Sequence, residues 1–349
     1  MLRHPRLIVA TFCSALLLGQ LWCAGVLAQQ AGDVELVEGF NSYSDFPKDA
    51  TWQEHVPQVR EIRITSSADG KEQPALWYDS GSDRKKPLLV ALHSWSYDYR
   101  QPVSIPYGIW AVQNDWVFIH PEYRGRYNNP EATASELALQ DVLDALEWAK
   151  KNADVDESRI YLAGFSGGAM TALILAGRHP ELWTAVSAWV PIYNLVDWYD
   201  YMSGFPEKHY AGNIAASCGG KPLPGTEAAA ECLRRSPVSY LKNARGKAVQ
   251  VHLACGIRDE IVPPDHSLRA FNDLAAADAR FSDAEIRYIR ENLALPDHLA
   301  GDYADPLFTK AGKELIFERK SNNVTLDFFA GGHDILFNPI LFWLSQQQR

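Results

Sequence analysis

The sequence predicts an α/β domain built on a mostly parallel, twisted sheet with helices on both faces. Three observations carry this. Short apolar runs alternate with stretches of helical period from about residue 59 onward. Several runs are apolar at every position, as in strands covered on both faces. A length of 349 residues suits one large α/β domain better than two ordinary ones.

The elements follow in chain order. Residues 29–57 show no clear period and read as an N-terminal extension that wraps the domain. Residues 59–65 and 73–78 read as an opening antiparallel pair. Residues 87–93 (Pro-Leu-Leu-Val-Ala-Leu-His) and 116–120 are continuous apolar runs, hence buried strands. Residues 134–152 carry Leu137, Val142, Leu146 and Ala149 at helical spacing. A short strand over 159–163 precedes a helix over 167–177. Strands are expected at 183–190, 249–255 and 324–329, and helices at 265–277 and 336–347. Strand–helix alternation implies right-handed crossovers, and ligands then bind beyond the carboxyl ends of the strands. Residues 191–240 and 278–320 read as lid-like insertions, since loops of such length tend to serve function or move.

Composition narrows the class. Hydrophobic residues make up 47% and charged residues 22%, as in ordinary globular proteins. The net charge of −10, without a basic run, argues against a nucleic-acid partner. Residues 1–28 read as a cleaved signal peptide: Arg3 and Arg6 precede an apolar stretch, and Val26-Leu27-Ala28 supplies small residues for cleavage. The chain is therefore expected to be exported, to the periplasm or the extracellular space, as a single domain over 29–349. No later segment is apolar enough to span a bilayer, so no stable membrane association is expected. Export makes a disulfide between Cys218 and Cys232 credible across their Gly/Pro-rich loop, worth roughly 3 kcal/mol in the chain-entropy model. Cys255 lies in an apolar run and reads as a buried, inert thiol. Histidines and carboxylates are scattered without ligand spacing, so neither a metal nor another cofactor is expected.

The chemistry is signalled by Gly164-Phe165-Ser166-Gly167-Gly168, between an expected strand and an expected helix. A serine on such a strained turn stands clear at the top of the sheet, and the glycines relieve crowding between helix and strand. Ser166 is the candidate nucleophile of an α/β-hydrolase fold, and the Gly167 N–H a candidate oxyanion donor. In this fold the acid follows the serine and the histidine follows the acid. Asp259, just past the 249–255 strand, is the first candidate acid, with Glu260 and Asp265 behind it. His333, in Ala330-Gly331-Gly332-His333-Asp334 after the last strand, is the candidate base; His266 and His298 also lie beyond Asp259, but neither follows a strand. The loop after residue 93 offers Trp95 as second oxyanion donor, with Ser94 as the alternative. Tyr97, Tyr193 and Trp198 are candidate substrate contacts, although aromatic residues near a motif are as often packing.

These segments resemble the catalytic domain of the prolyl oligopeptidase family of serine peptidases and related esterases. The resemblance runs through Pro121-Glu122-Tyr123-Arg124-Gly125, Gln140-Asp141-Val142-Leu143-Asp144-Ala145, the Ser166 turn, Ser236-Pro237-Val238-Ser239-Tyr240, and Gly256-Ile257-Arg258-Asp259 with Val262-Pro263. It covers about residues 85–277 and resumes at His333. It implies acyl transfer to water from a small-molecule or oligomeric ester or peptide. Only about thirty residues separate the expected cleavage point from the first strand, so no β-propeller is expected ahead of the domain. The stretch between Asp259 and His333 is longer than the compact family pattern, and Ser94 stands where many relatives carry Gly. A carboxylesterase-like activity is the first expectation, a prolyl oligopeptidase-type peptidase or aminopeptidase the second. A non-catalytic hydrolase-like binding module is the rival of another class.

Overall fold

The computed structural model describes residues 34–349, of which Leu36–Arg349 form one compact unit. The expected signal segment, 1–28, lies outside the described residues. Among these residues a single nine-stranded sheet has the order β1-β2-β4-β3-β5-β6-β7-β9-β8. Its strands are β1 Arg60–Thr65, β2 Glu72–Tyr78, β3 Lys86–Leu92, β4 Val117–Pro121, β5 Val155–Phe165, β6 Ala185–Trp189, β7 Gln250–Gly256, β8 Leu315–Ser321 and β9 Val324–Phe329. The five pairings from β4 through β3, β5, β6 and β7 to β9 are parallel. Antiparallel pairings occur at the flanks, β1 with β2, β2 with β4, and β8 with β9. Strands β3, β4 and β6 are buried at every residue, so both faces of the central sheet are covered.

The helices are α1 Trp52–His55, α2 Ile105–Gln113, α3 Glu136–Asn152, α4 Gly167–Arg178, α5 Leu195–Met202, α6 Tyr210–Cys218, α7 Glu227–Arg234, α8 Asp265–Leu274, α9 Asp283–Asn292, α10 Pro306–Lys310 and α11 Phe337–Ser345. Helix α3 starts on Ser135, whose hydroxyl accepts the Ala138 N–H. Helix α4 is buried along nearly its whole length and packs on β5 and β6.

The structure departs from the sequence reading in three places. Strand β5 starts four residues earlier than expected, because Asp156, Glu157 and Ser158 extend it at a partly exposed end with no apolar run. Helix α2 went unrecognised: it buries Ile105, Pro106, Tyr107, Gly108, Trp110 and Ala111, so little polar face remains to mark a period. The 278–320 insertion ends in β8, an edge strand of the sheet. Only Leu315 and Phe317 are buried there, and the polar Glu318-Arg319-Lys320 run hid the strand.

The N-terminal extension is fastened to the chain near the other end. Ser42 bridges Leu336, the Tyr43 N–H donates to the Ile335 carbonyl at 3.1 Å, and the Val37 backbone exchanges two 2.9 Å hydrogen bonds with the Asn338 amide. The 191–240 segment comprises α5, α6 and α7, and a Cys218–Cys232 disulfide ties the end of α6 to α7.

Candidate active site

Strand β5 passes into α4 at Ser166, whose φ of 56° and ψ of −115° lie where non-glycine residues are rare. Such strain costs about 1–3 kcal/mol and persists only where packing enforces it. Here the crossing of strand and helix enforces it. A Cβ on Gly164 would sit 2.4 Å from the Gly168 carbonyl carbon, and one on Gly168 would sit 2.7 Å from the carbonyl oxygens of Leu92 and His93. The turn is pinned by the Ser166 N–H donating to the Trp189 carbonyl at 2.9 Å.

Two other loops converge on this serine. His333 follows β9 and Asp259 follows β7, neighbouring parallel strands. Backbone bonds join the loops: Ile257 N–H to the Phe329 carbonyl at 3.0 Å and Arg258 N–H to the Gly331 carbonyl at 2.9 Å. A Cβ on Gly256 would lie 2.2 Å from the Gly332 carbonyl oxygen, so this approach needs glycine. His333 Nε2 is 3.1 Å from Ser166 Oγ, and His333 Nδ1 is 2.8 Å from Asp259 Oδ2. Both separations are hydrogen-bond distances. Asp259 is fully buried, and its other oxygen accepts the N–H groups of Ile261 at 2.8 Å and Val262 at 2.9 Å. One carboxylate oxygen is thus fixed by backbone and the other faces the imidazole.

The alternative acids and histidines are engaged elsewhere. Asp265 pairs with Arg290 at 2.6 Å, and Glu260 is exposed with its carbonyl accepting the Tyr201 hydroxyl. His266 Nδ1 accepts the Tyr193 N–H, and burial pushes its pKa down. His298 pairs with Glu285 at the surface.

The loop after β3 lies directly against the serine turn. The Trp95 nitrogen is 2.9 Å from the point a Cβ on Gly167 would occupy, so these two backbone segments meet beside Ser166. The Ser94 N–H donates to Gln101 Oε1 at 2.9 Å and is therefore occupied, which leaves Trp95 as the better placed donor. Gln101 in turn donates to Ser104. His93 sits beneath the loop, stacked on Tyr123 at 4.1 Å, with Nε2 2.6 Å from the Glu122 carbonyl. Complete burial lowers its pKa to about 4, so it is neutral and structural. Glu122 accepts the Tyr99 N–H at 2.9 Å, and burial raises its carboxyl to about 7. Gln101 and Glu122 hold this loop, and no sequence signal singled them out for that role.

The three aromatic candidates divide. Tyr97 is 40% exposed and lines a concavity with Tyr43 and Val103. Tyr193 and Trp198, in contrast, are buried rather than open to a cleft. Tyr193 is buried, with its hydroxyl donated to Asp273 at 2.7 Å. Trp198 is buried, donates its indole N–H to the Ile261 carbonyl at 2.8 Å, and packs edge-on against Trp95 at 4.8 Å. Both are packing residues whose polar tips are satisfied by protein. Among the described residues no group of three or more His, Cys, Asp or Glu is arranged to hold a metal ion, and no helix is long and apolar enough to cross a membrane.

Comparison with known proteins finds partial likenesses. Residues 127–288, which include Ser166 and Asp259, match the prolyl oligopeptidase family. The acylamino-acid-releasing enzyme of Mus musculus is 27% identical over 147 residues, covering 40% of this chain and 18% of the mouse protein. Feruloyl esterase B of Talaromyces funiculosus is 25% identical over 120 residues, covering 30% of this chain and 32% of the fungal protein. The chain thus spans a third or less of the length of these curated relatives. Among solved structures, Pyrococcus horikoshii acylaminoacyl peptidase superposes with a TM-score of 0.49 at 19% identity, over 62% of this chain and 34% of that one. A puromycin hydrolase gives 0.49 at 17% identity, over 63% of this chain and 33% of that one. The chain thus has an α/β-hydrolase fold, and its residues 127–288 are similar to the prolyl oligopeptidase family.

Proposed function

We propose that the chain hydrolyses carboxylic esters through an acyl-enzyme on Ser166. The observation that carries this reading is the continuous hydrogen-bonded line from Asp259 through His333 to Ser166 Oγ. Ser166 attacks the carbonyl carbon while His333 Nε2 takes its proton. The Nδ1–H of His333 donates to Asp259, which keeps the imidazole in the tautomer whose Nε2 is free to accept. Negative charge developing on the carbonyl oxygen meets the N–H groups of Gly167 and Trp95. The proton on His333 then passes to the departing alcohol, and water repeats the sequence in reverse to free the acid.

The likeness to a feruloyl esterase supports an ester substrate, and the aromatic surroundings of the cleft suit an apolar one. The likeness to an acylamino-acid-releasing enzyme supports a second reading, cleavage of a peptide or aminoacyl amide. Export to the periplasm or extracellular space is supported by the sequence of residues 1–28 and by the Cys218–Cys232 disulfide. Comparing kcat/KM on 4-nitrophenyl esters with that on aminoacyl 4-nitroanilides tests the choice. The ester reading requires the esters to be preferred by at least about a hundredfold beyond their intrinsic reactivity. A preference for the anilides overturns it.

A further inference from the structure

A concavity of about 370 Å³ opens near the serine turn. Tyr43, Phe46 and Pro47 of the N-terminal extension wall one side, and Tyr97, Pro102 and Val103 of the loop after β3 wall the other. Its position follows from ring contacts. The Tyr43 ring lies 5.3 Å from that of Phe165, the neighbour of Ser166, and the Phe165 ring lies 5.0 Å from that of His333. Tyr97 stands two residues beyond Trp95, whose nitrogen abuts Gly167.

The walls are mostly apolar and aromatic, with Ser44 among them, and the extension is held in place. Backbone bonds fix the extension: Tyr43 N–H to the Ile335 carbonyl, and Ser44 N–H to Asp334 at 3.0 Å. Tyr43 and Tyr97 remain 37% and 40% exposed, and their hydroxyls are within reach of each other. Burial and the neighbouring phenol push the Tyr43 pKa up, so the wall stays uncharged. Lys48 at the rim is the only lining residue with a formal charge. Concave sites of this size with aromatic walls favour flat apolar groups.

We propose that this pocket is a substrate subsite that takes a flat aromatic group attached within a few bonds of the scissile carbonyl. It makes the N-terminal extension part of the active site, and it rests on the ester reading above. The aromatic group belongs either to the acyl half or to the alcohol half of the ester, and the test separates these.

Two measurements carry the test. In the Ser166→Ala protein, calorimetric titration with methyl 3-phenylpropanoate reads binding without turnover. Tyr97→Ala or Val103→Trp, each added to Ser166→Ala, is expected to weaken it at least tenfold, with thermal melts confirming that each variant folds. With Ser166 intact, methyl 3-phenylpropanoate and 2-phenylethyl acetate are compared with propyl butanoate. One of the aromatic esters is expected to lead in kcat/KM, and its advantage to fall about tenfold in either variant. Whichever ester loses its advantage names the half that enters the pocket. An unchanged affinity in the titration together with an unchanged aromatic-to-aliphatic ratio overturns the proposal. If none of the three esters is turned over, the ester reading fails, and the titration alone then decides on the pocket.

Discussion

Ser44 grips the carboxylate of Asp334 with both of its donors, the N–H at 3.0 Å and the hydroxyl at 2.6 Å. Lys313 adds a 3.1 Å ion pair to the same carboxylate, which is almost fully buried. The residue next to His333 is thereby anchored to the N-terminal extension, 290 positions away in the chain. Replacing Ser44 by Ala leaves a buried carboxylate one donor short, at a cost of about 1–3 kcal/mol. The expected result is a lower Tm and a several-fold fall in kcat with KM little changed, read by thermal melts and steady-state kinetics.

Asp259 gives a sharper expectation. In Asp259→Asn the amide in place of Oδ2 donates to His333 Nδ1 and so favours the tautomer that cannot accept from Ser166. Activity on a 4-nitrophenyl ester is expected to fall by about 10⁴ while the melting temperature changes far less. A loss below tenfold would contradict the role given to this carboxylate.

Gly167→Ala addresses the oxyanion donors without touching the three reacting side chains. The added Cβ falls 2.9 Å from the Trp95 nitrogen and 3.0 Å from its Cα, so the loop after β3 must retreat. Displacing one donor is expected to lower kcat by about 10²–10³. Stopped-flow measurement of acylation checks this, because the defect belongs to the tetrahedral step.

Glu122 supplies a pH dependence of stability. Burial raises its carboxyl from 4.5 to about 7 in the folded chain. Between these two values the folded state holds a proton that the unfolded state has lost, so stability falls as pH rises from about 4.5 to 7. Above pH 7 the full penalty of the buried carboxylate remains. Glu122→Gln keeps an acceptor for the Tyr99 N–H and removes that slope. Its Tm relative to wild type is expected to be higher at pH 8 than at pH 5, by about 2–4 °C. An equal difference at both pH values would show that Glu122 does not titrate in this way.

How much of this was legible in the sequence depended on how local each signal was. The central strands announced themselves because β3, β4 and β9 are buried at every position. Ser166, Asp259 and His333 were legible as candidates because each lies just past the end of a strand, β5, β7 or β9, in the chain order expected of such a site. The anchoring of Ser44 to Asp334 left no trace, since the extension has no period and its bonds reach across the whole chain. Edge strand β8 was hidden by its exposed, charged half. Tyr193 and Trp198 were misjudged because proximity in sequence to other aromatic residues suggested a cleft lining. What decides their role is the Asp273 carboxylate and the Ile261 carbonyl, partners that only the folded chain brings to them.

The proposed mechanism requires His333 to activate Ser166 across their 3.1 Å contact. Reaction with a fluorophosphonate, followed by tryptic digestion and mass spectrometry, reads this directly. The adduct is expected on Ser166 within the peptide spanning residues 160–178, and labelling is expected to slow by about 10³ or more in His333→Ala. An adduct on another serine, or an undiminished rate in His333→Ala, would contradict it.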